Sequence, residues 1–282
     1  MSVDGASDGI EDIGGGIRSV ERAATVIQAI SDAGASGARL VDIVAATNLS
    51  KTTAHRIVNT LLNVGWLEQE DEGGILYLGV PFIGFGMTAS DRHGLVDLAQ
   101  PHLTKVAELT GDTVFLSVRV GNRALCIDQA IGTFPVRIMD PAVGDRRPLG
   151  SCAGSLALLA WSDDDDDEFG LLTRGANTTD RVPDAATLQG LIVDARNTGY
   201  VRFPGLIIPD TVGIAVPIFG ANRDVVAALS VSSIEPRMSG QRQTHIVEWL
   251  LREADALSRS LLSMNPRFSK QDVRRVLGPR AG

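Results

Sequence analysis

The stretch Ser50-Lys51-Thr52-Thr53-Ala54-His55-Arg56-Ile57-Val58-Asn59-Thr60-Leu61-Leu62-Asn63-Val64-Gly65 decides how this chain is read. Ser50 suits a helix N-cap, because its hydroxyl accepts from free backbone N–H groups of the first turn. Gly65 suits the stop, because a helix end often requires the left-handed conformation. Between them Ala54, Ile57, Val58, Leu61 and Leu62 recur at steps of three and four, which places them on one helical face. The opposite face carries Lys51, Thr52, Thr53, His55, Arg56 and Asn59, and no carboxylate occurs from Ile43 to Leu67. Donors to phosphates and base edges on a short helix are what reading the DNA major groove requires. An ordinary amphipathic helix with a solvated front satisfies the same pattern, so the flanking chain must decide.

Upstream, Ser19 opens a helix whose apolar stripe is Val20, Ala23, Ala24, Ile27 and Ile30, ending at Gly34. A second, short helix runs from Leu40 to Thr47 and buries Leu40, Ile43 and Val44. Asn48-Leu49-Ser50 is then a three-residue turn, which completes a helix-turn-helix. Downstream, Trp66 to Glu70 and Ile75 to Gly79 flank Asp71-Glu72-Gly73-Gly74, a hairpin signal. Residues 17–79 therefore read as a winged helix-turn-helix domain that binds double-stranded DNA, with an acidic wing. Val80 to Ser90 and Leu95 to Leu109 read as helices separated by Gly94, so residues 80–94 form a helical linker.

The 282 residues are enough for two domains, each with its own core. The formal charge of −8 disfavours nucleic-acid binding only mildly, because phosphates feel local charge within about 10 Å at physiological salt. Cys126 and Cys152 are too few for a disulfide framework or a zinc site, so no metal or cofactor is expected. Residues 1–16, rich in Gly, Asp and Ser, read as a disordered leader without the features of a signal peptide. No stretch approaches membrane-span length, and a cytoplasmic location with reduced thiols is expected.

In the second half, Thr113 to Val120 and Ala124 to Ile131 read as strands about a turn at Gly121-Asn122, with Phe134 to Asp140 as a third. Ser151 to Trp161, Asp163 to Leu172 and Ala185 to Thr198 read as helices. Val212 to Phe219 and Val225 to Ser232 flank Gly220-Ala221-Asn222-Arg223, a further hairpin, and Gln241 to Leu262 is a long closing helix. Strands joined by hairpins, with helices between them, make a largely antiparallel sheet rather than a Rossmann fold. The fold class is thus α+β, with an α/β domain over residues 95–262. The basic tail, residues 263–282, reads as solvated.

Gly150, Ser151, Ala153, Gly154 and Ser155 leave the backbone of a helix start open to close approach, and Arg146 and Arg147 precede them. Two readings follow: an anion site, or small residues that let the helix lie close to the sheet. His55, His93, His102 and His245 have no acidic or cysteine neighbour at ligand spacing, so the chain reads as no enzyme. A cysteine-dependent enzyme through Cys152 and a ligand-binding protein without operator function are the competing function classes.

The whole resembles the isocitrate lyase regulator (IclR) type of bacterial transcription factor. The resemblance runs from Ile17 to Leu262. It is carried by Ile17-Arg18-Ser19-Val20-Glu21-Arg22-Ala23, Ser50 to Arg56, Tyr77-Leu78-Gly79, Arg147 to Ser155, Gly213 to Ile218 and Ala227 to Ser232. It implies a winged helix that binds near-palindromic operator DNA as a homodimer, with dimers pairing into tetramers. It also implies a GAF-like C-terminal domain that binds a small effector. The DNA-binding residues are then Ser50, Lys51, Thr52, Thr53, His55, Arg56 and Asn59. By matching motifs the effector contacts are Val136, Met139, Arg147, Ala153, Gly154, Thr211, Gly213, Ser230 and Ser232, a set that suits a small organic or aromatic acid. The apolar loop from Phe203 to Ile208 is expected to close over the effector's apolar part. The expected function is an effector-responsive regulator, a repressor of a neighbouring catabolic operon.

Overall fold

The computed structural model describes residues 17–70, 73–138, 141–162, 182–206, 208–270 and 272–273, and the chain divides into two compact units between Asp91 and Arg92. In the first unit, α1 (Arg18–Asp32), α2 (Leu40–Thr47) and α3 (Lys51–Asn63) precede a hairpin of β1 (Leu67–Gln69) and β2 (Leu76–Leu78). Helix α4 (Pro81–His93) follows. Val26, Ile30, Ile43, Val58, Leu61, Leu67 and Leu76 form the core. The bridge between Ala38 and Leu76 ties the loop before α2 to the wing. Asn48 takes a left-handed φ of 54° and so ends α2, leaving room for the turn into α3. Gly79 has to be glycine, because a Cβ there would lie 2.3 Å from the carbonyl oxygen of Gly65.

The apolar stripe of α1 differs from the expected one. Val26 and Ile30 are its buried residues, whereas Val20 is 63% exposed and Ala24 is also exposed. The C-terminal part of the expected stripe does face the core, with Ile30 buried and Ile27 half-buried against it, and only its N-terminal part is turned to the surface. On α2, Ile43 is buried while Leu40 and Val44 are half-buried.

The second unit comprises α5 (Leu95–Thr110), β3 (Thr113–Val120), β4 (Arg123–Ala130), β5 (Arg146–Pro148) and α6 (Ala153–Ala160). After these come α7 (Ala185–Thr198), β6 (Val201–Pro204), β7 (Thr211–Phe219), β8 (Val225–Ile234) and α8 (Gly240–Met264). The six strands form one sheet in the order β5-β4-β3-β8-β7-β6, and every pairing is antiparallel. Alternation in the strands splits the apolar residues between two faces. Val114, Leu116, Val216, Leu229 and Val231 meet α5 and α8, while Ala215 and Ala228 meet α6 and α7.

Three expectations for this unit are corrected. The described part of the segment from Phe134, residues 134–138, is not a strand, and the third strand of that side is β5. The run after Tyr200 opens as strand β6, where Val201 and Phe203 are buried and Arg202 and Pro204 exposed. The tail is not solvated over its first part: Phe268 and Val273 join the core, and Ala221 donates to the carbonyl of Phe268. The helix read over Asp163 to Leu172 lies outside the described residues.

Two buried carboxylates fasten the helices to the sheet. Asp112 accepts from Arg237 (Nε, 2.9 Å), Arg242 (Nη2, 2.8 Å) and the Ser233 hydroxyl (2.7 Å). Glu253 on α8, 3% exposed, meets His102 at 2.8 Å and Lys105 at 2.7 Å on α5. Burial pushes the Glu253 carboxyl up, and the hydrogen bonds from Lys105 and His102 outweigh it, holding the group below its ordinary value. A depressed carboxyl contributes stability that is present above the ordinary glutamate range and lost as pH falls through the depressed value. Glu253→Gln should therefore cost about 1–3 kcal/mol at neutral pH. In urea titrations, the deficit should shrink as pH is lowered into the acid range.

Candidate DNA-reading surface and effector cavity

Ser50 accepts from the backbone N–H of Thr53 at 3.2 Å, capping α3 as its position suggests. Truncating such a cap typically costs about 1 kcal/mol. Ala54, Val58 and Leu61 are buried, with Ile57 and Leu62 half-buried beside them. This burial turns Lys51, Thr52, His55, Arg56 and Asn59 outward, all exposed, with Thr53 half-buried next to its cap. Asn59 lies 3.4 Å from the His55 ring nitrogen, so these two share one surface spot a helical turn apart. Below the wing, Trp66, Phe82 and Phe85 meet edge to face at 5.6–5.8 Å. Around this trio Val80, Ile83 and Met87 are each about two-thirds exposed, an apolar surface without a partner inside the unit.

In the second unit a cavity of about 50 Å³ lies against the start of α6. Ala153, Thr211, Gly213 and Ser232, four of the nine expected effector positions, line it. Ile138, Cys152, Phe203, Leu206 and Ile208 complete most of the wall, so the apolar run after Tyr200 does border the cavity. Gly154 and Ser230 do not line it but lie against each other. A Cβ on Gly154 would come within 3.4 Å of the Ser117 and Ser230 hydroxyls. Gly213 is held to glycine by Ala153, whose Cβ would lie 2.7 Å away. Small residues thus seat the helix on the sheet and leave its first N–H groups at the cavity. Ala153 and Gly154 donate to no acceptor among the described residues.

The remaining positions are not brought there. Arg147 sits on β5 at the sheet's far edge, 3.3 Å from Asp145, and does not line the cavity. Val136 is about half exposed outside the lining, and Met139 lies outside the described residues. The wall residues Ile138 and Cys152 were missed by sequence reasoning. Ile138 is the buried apolar residue of an irregular segment, and only proximity to Met139 pointed to it.

Burial pushes the Cys126 thiol up to about 12. Cys152 is half-buried at the N-cap of α6, with its sulfur 3.4 Å from the Ser155 hydroxyl. Among the described residues, no three His, Cys, Asp or Glu side chains are grouped to hold a metal ion. No helix of the described residues is long and apolar enough to cross a membrane.

Comparison with known proteins fits this two-unit layout. The family model "IclR helix-turn-helix domain" matches residues 19–71, and "Bacterial transcriptional regulator IclR C-terminal" matches residues 87–259. The HTH-type transcriptional regulator BhcR of Paracoccus denitrificans is 31% identical over 259 residues, covering 89% of each chain. The HTH-type transcriptional repressor AllR of Escherichia coli K12 is 26% identical over 229 residues, covering 80% of this chain and 84% of AllR. Among solved structures, an IclR homolog from Microbacterium hydrocarbonoxydans complexed with 4-hydroxybenzoate superposes with a TM-score of 0.67 at 24% identity. That superposition covers 87% of this chain and 99% of the homolog. With both halves matched in order, this chain belongs to the IclR family of DNA-binding bacterial transcriptional regulators, not to an enzyme family.

Proposed function

We propose that this regulator is a repressor of a neighbouring catabolic operon, released or strengthened on its operator by a small organic or aromatic acid. The observation that carries the DNA-binding part is the exposed, carboxylate-free front of α3, held outward by a capped and buried back. The repressor assignment is supported by the similarity to AllR, itself a repressor. The acid is supported by a fold-mate that holds 4-hydroxybenzoate. Ser50, Lys51, Thr52, Thr53, His55, Arg56 and Asn59 are the residues assigned to DNA. Lys51→Ala and Arg56→Ala should each lower affinity for a selected duplex, by about 1–3 kcal/mol if the lost contact is to a base. Fluorescence anisotropy measures this, and wild-type binding by both variants would remove α3 as the reader.

One winged helix offers few contacts, so two copies bind a near-palindromic site, with half-sites about one helical turn apart. The aromatic trio, its exposed apolar neighbours on α4 and the exposed Val20 and Ala24 of α1 supply the surface for pairing. Sedimentation at micromolar concentration should give a dimer or a pair of dimers, and Ile83→Glu with Met87→Glu should shift it toward monomer.

The effector reading centres on the cavity at the start of α6. Its carboxylate meets the N–H groups of Ala153 and Gly154 and the hydroxyl of Ser232, while the Thr211 hydroxyl donates to the Ile208 carbonyl. Phe203, Leu206 and Ile208 cover its apolar part. The cavity's 50 Å³ is far below the roughly 300 Å³ of a small-molecule site, so the run from Phe203 to Ile208 moves outward as the acid enters. Binding changes operator affinity only through a difference in affinity between two placements of the winged helices. Calorimetry on the full chain with benzoic and keto acids should show binding that Gly213→Val abolishes and Ser232→Ala weakens. Arg147→Ala, already committed to Asp145, should weaken it less, and a larger loss there would return the anion contact to Arg147.

A further inference from the structure

Helices α1 and α3 leave between them an open groove of about 360 Å³. Its floor is apolar, made by Ala23, Ile57 and Leu61, and its rim carries Ser19, Arg22, Thr53, Arg56 and Thr60. Arg22 lies one helical turn before the fully buried Val26, so it stands on the α1 stripe that faces the core, at the mouth of the interface. Arg56 reaches the same rim from α3. Both are exposed, no carboxylate lines the groove, and neither guanidinium has an ion-pair partner among the described residues. Two like charges on one rim repel each other unless an anion lies between them. The first turn of α1 holds one carboxylate, Glu21, which does not line the groove.

We propose that this groove seats one phosphate of the DNA backbone, clamped by Arg22 and Arg56. The clamp fixes the depth and angle at which α3 enters the major groove. The inference rests on α3 being the DNA reader and adds a contact from a different helix, one to which no recognition role belongs. Guanidinium suits this task because its planar fork presents two parallel donors to a pair of phosphate oxygens. The Ser19 hydroxyl on the same rim supplies a neutral donor. Such a contact carries no sequence information: it positions the protein on any duplex.

The test uses the full chain with two duplexes of equal length, one selected by the wild type from a random pool and one scrambled. Arg22→Ala should lower affinity for both by a similar factor, about tenfold at moderate salt, and flatten the log–log salt slope by about 0.9 per winged helix bound. Arg22→Lys should keep most of the slope, and Arg22→Ala with Arg56→Ala should cost less than the two single losses combined, because they share one phosphate. Inorganic phosphate alone should not bind at millimolar concentration. If it does, and Arg22→Ala leaves the DNA slope unchanged, the groove serves a free anion and the proposal is wrong. Arg22→Ala with wild-type affinity and slope, while wild type still discriminates the duplexes, overturns the clamp and leaves α3 as reader. A loss confined to the selected duplex makes Arg22 a base contact and also overturns it. Failure of the wild type to bind either duplex removes the reading on which the clamp rests.

Discussion

The second unit depends on how closely α6 approaches the sheet. Gly213 and Ala153 face each other where a single added methyl group would collide, and Gly154 lies on the hydroxyls of Ser117 and Ser230. Because the helix is seated so tightly, its first N–H groups meet a cavity instead of open water. Because its remaining residues are all buried, it is gripped along its whole length. Strand order follows the same logic. The two longest hairpins, β3-β4 and β7-β8, lie side by side in the sheet, and α6 crosses their shared face. An interior this dense transmits displacement, so a shift of Phe203 or Ile208, which border the cavity, would work against the seat of α6.

The buried carboxylates act at the opposite face. Asp112 gathers two arginines and a serine where α5 hands over to β3, and Glu253 gathers a histidine and a lysine where α5 meets α8. Buried charge is a poor route to net stability, because desolvation cancels much of the attraction. Its value here is positional: each carboxylate has several donors in fixed directions, and α5 cannot slide along α8 without leaving a charge unpaired. Helix α5 follows Gly94 and α4 directly in sequence, so this fixed seat lies next to the chain segment joining the two units.

Much of this was legible in the residues. Helix α3 carried its own start, stop and buried face, and α7 fills the span read for it, Ala185 to Thr198, with Asp184 capping it by accepting from Thr187. What stayed illegible has physical causes. In helix α1 the apolar residues Val20, Val26, Ile27 and Ile30 span more than one face, and periodicity does not say that Val26 is buried and Val20 exposed. Strand β5 is Arg146-Arg147-Pro148, without apolar alternation; it exists because β4 offers an edge, and Cys126 donates to the carbonyl of Asp145 beside it. Phe268 and Val273 are isolated apolar residues in a basic tail, with too few neighbours to form a pattern. Arg147 fell in a motif shared with relatives, but its side chain turns to Asp145, and no sequence spacing encodes that choice.

The carboxylate-free run from Ile43 to Leu67 has a consequence for how the protein meets its target. The chain bears a net charge of −8, so attraction to a duplex requires a local surface free of carboxylates, and the front of α3 is such a surface among the described residues. An encounter that presents an acidic face to the phosphates is disfavoured. The surplus of acid therefore works as an orientation filter: it trades idle residence on random sequence for arrivals that already point the recognition face at the groove.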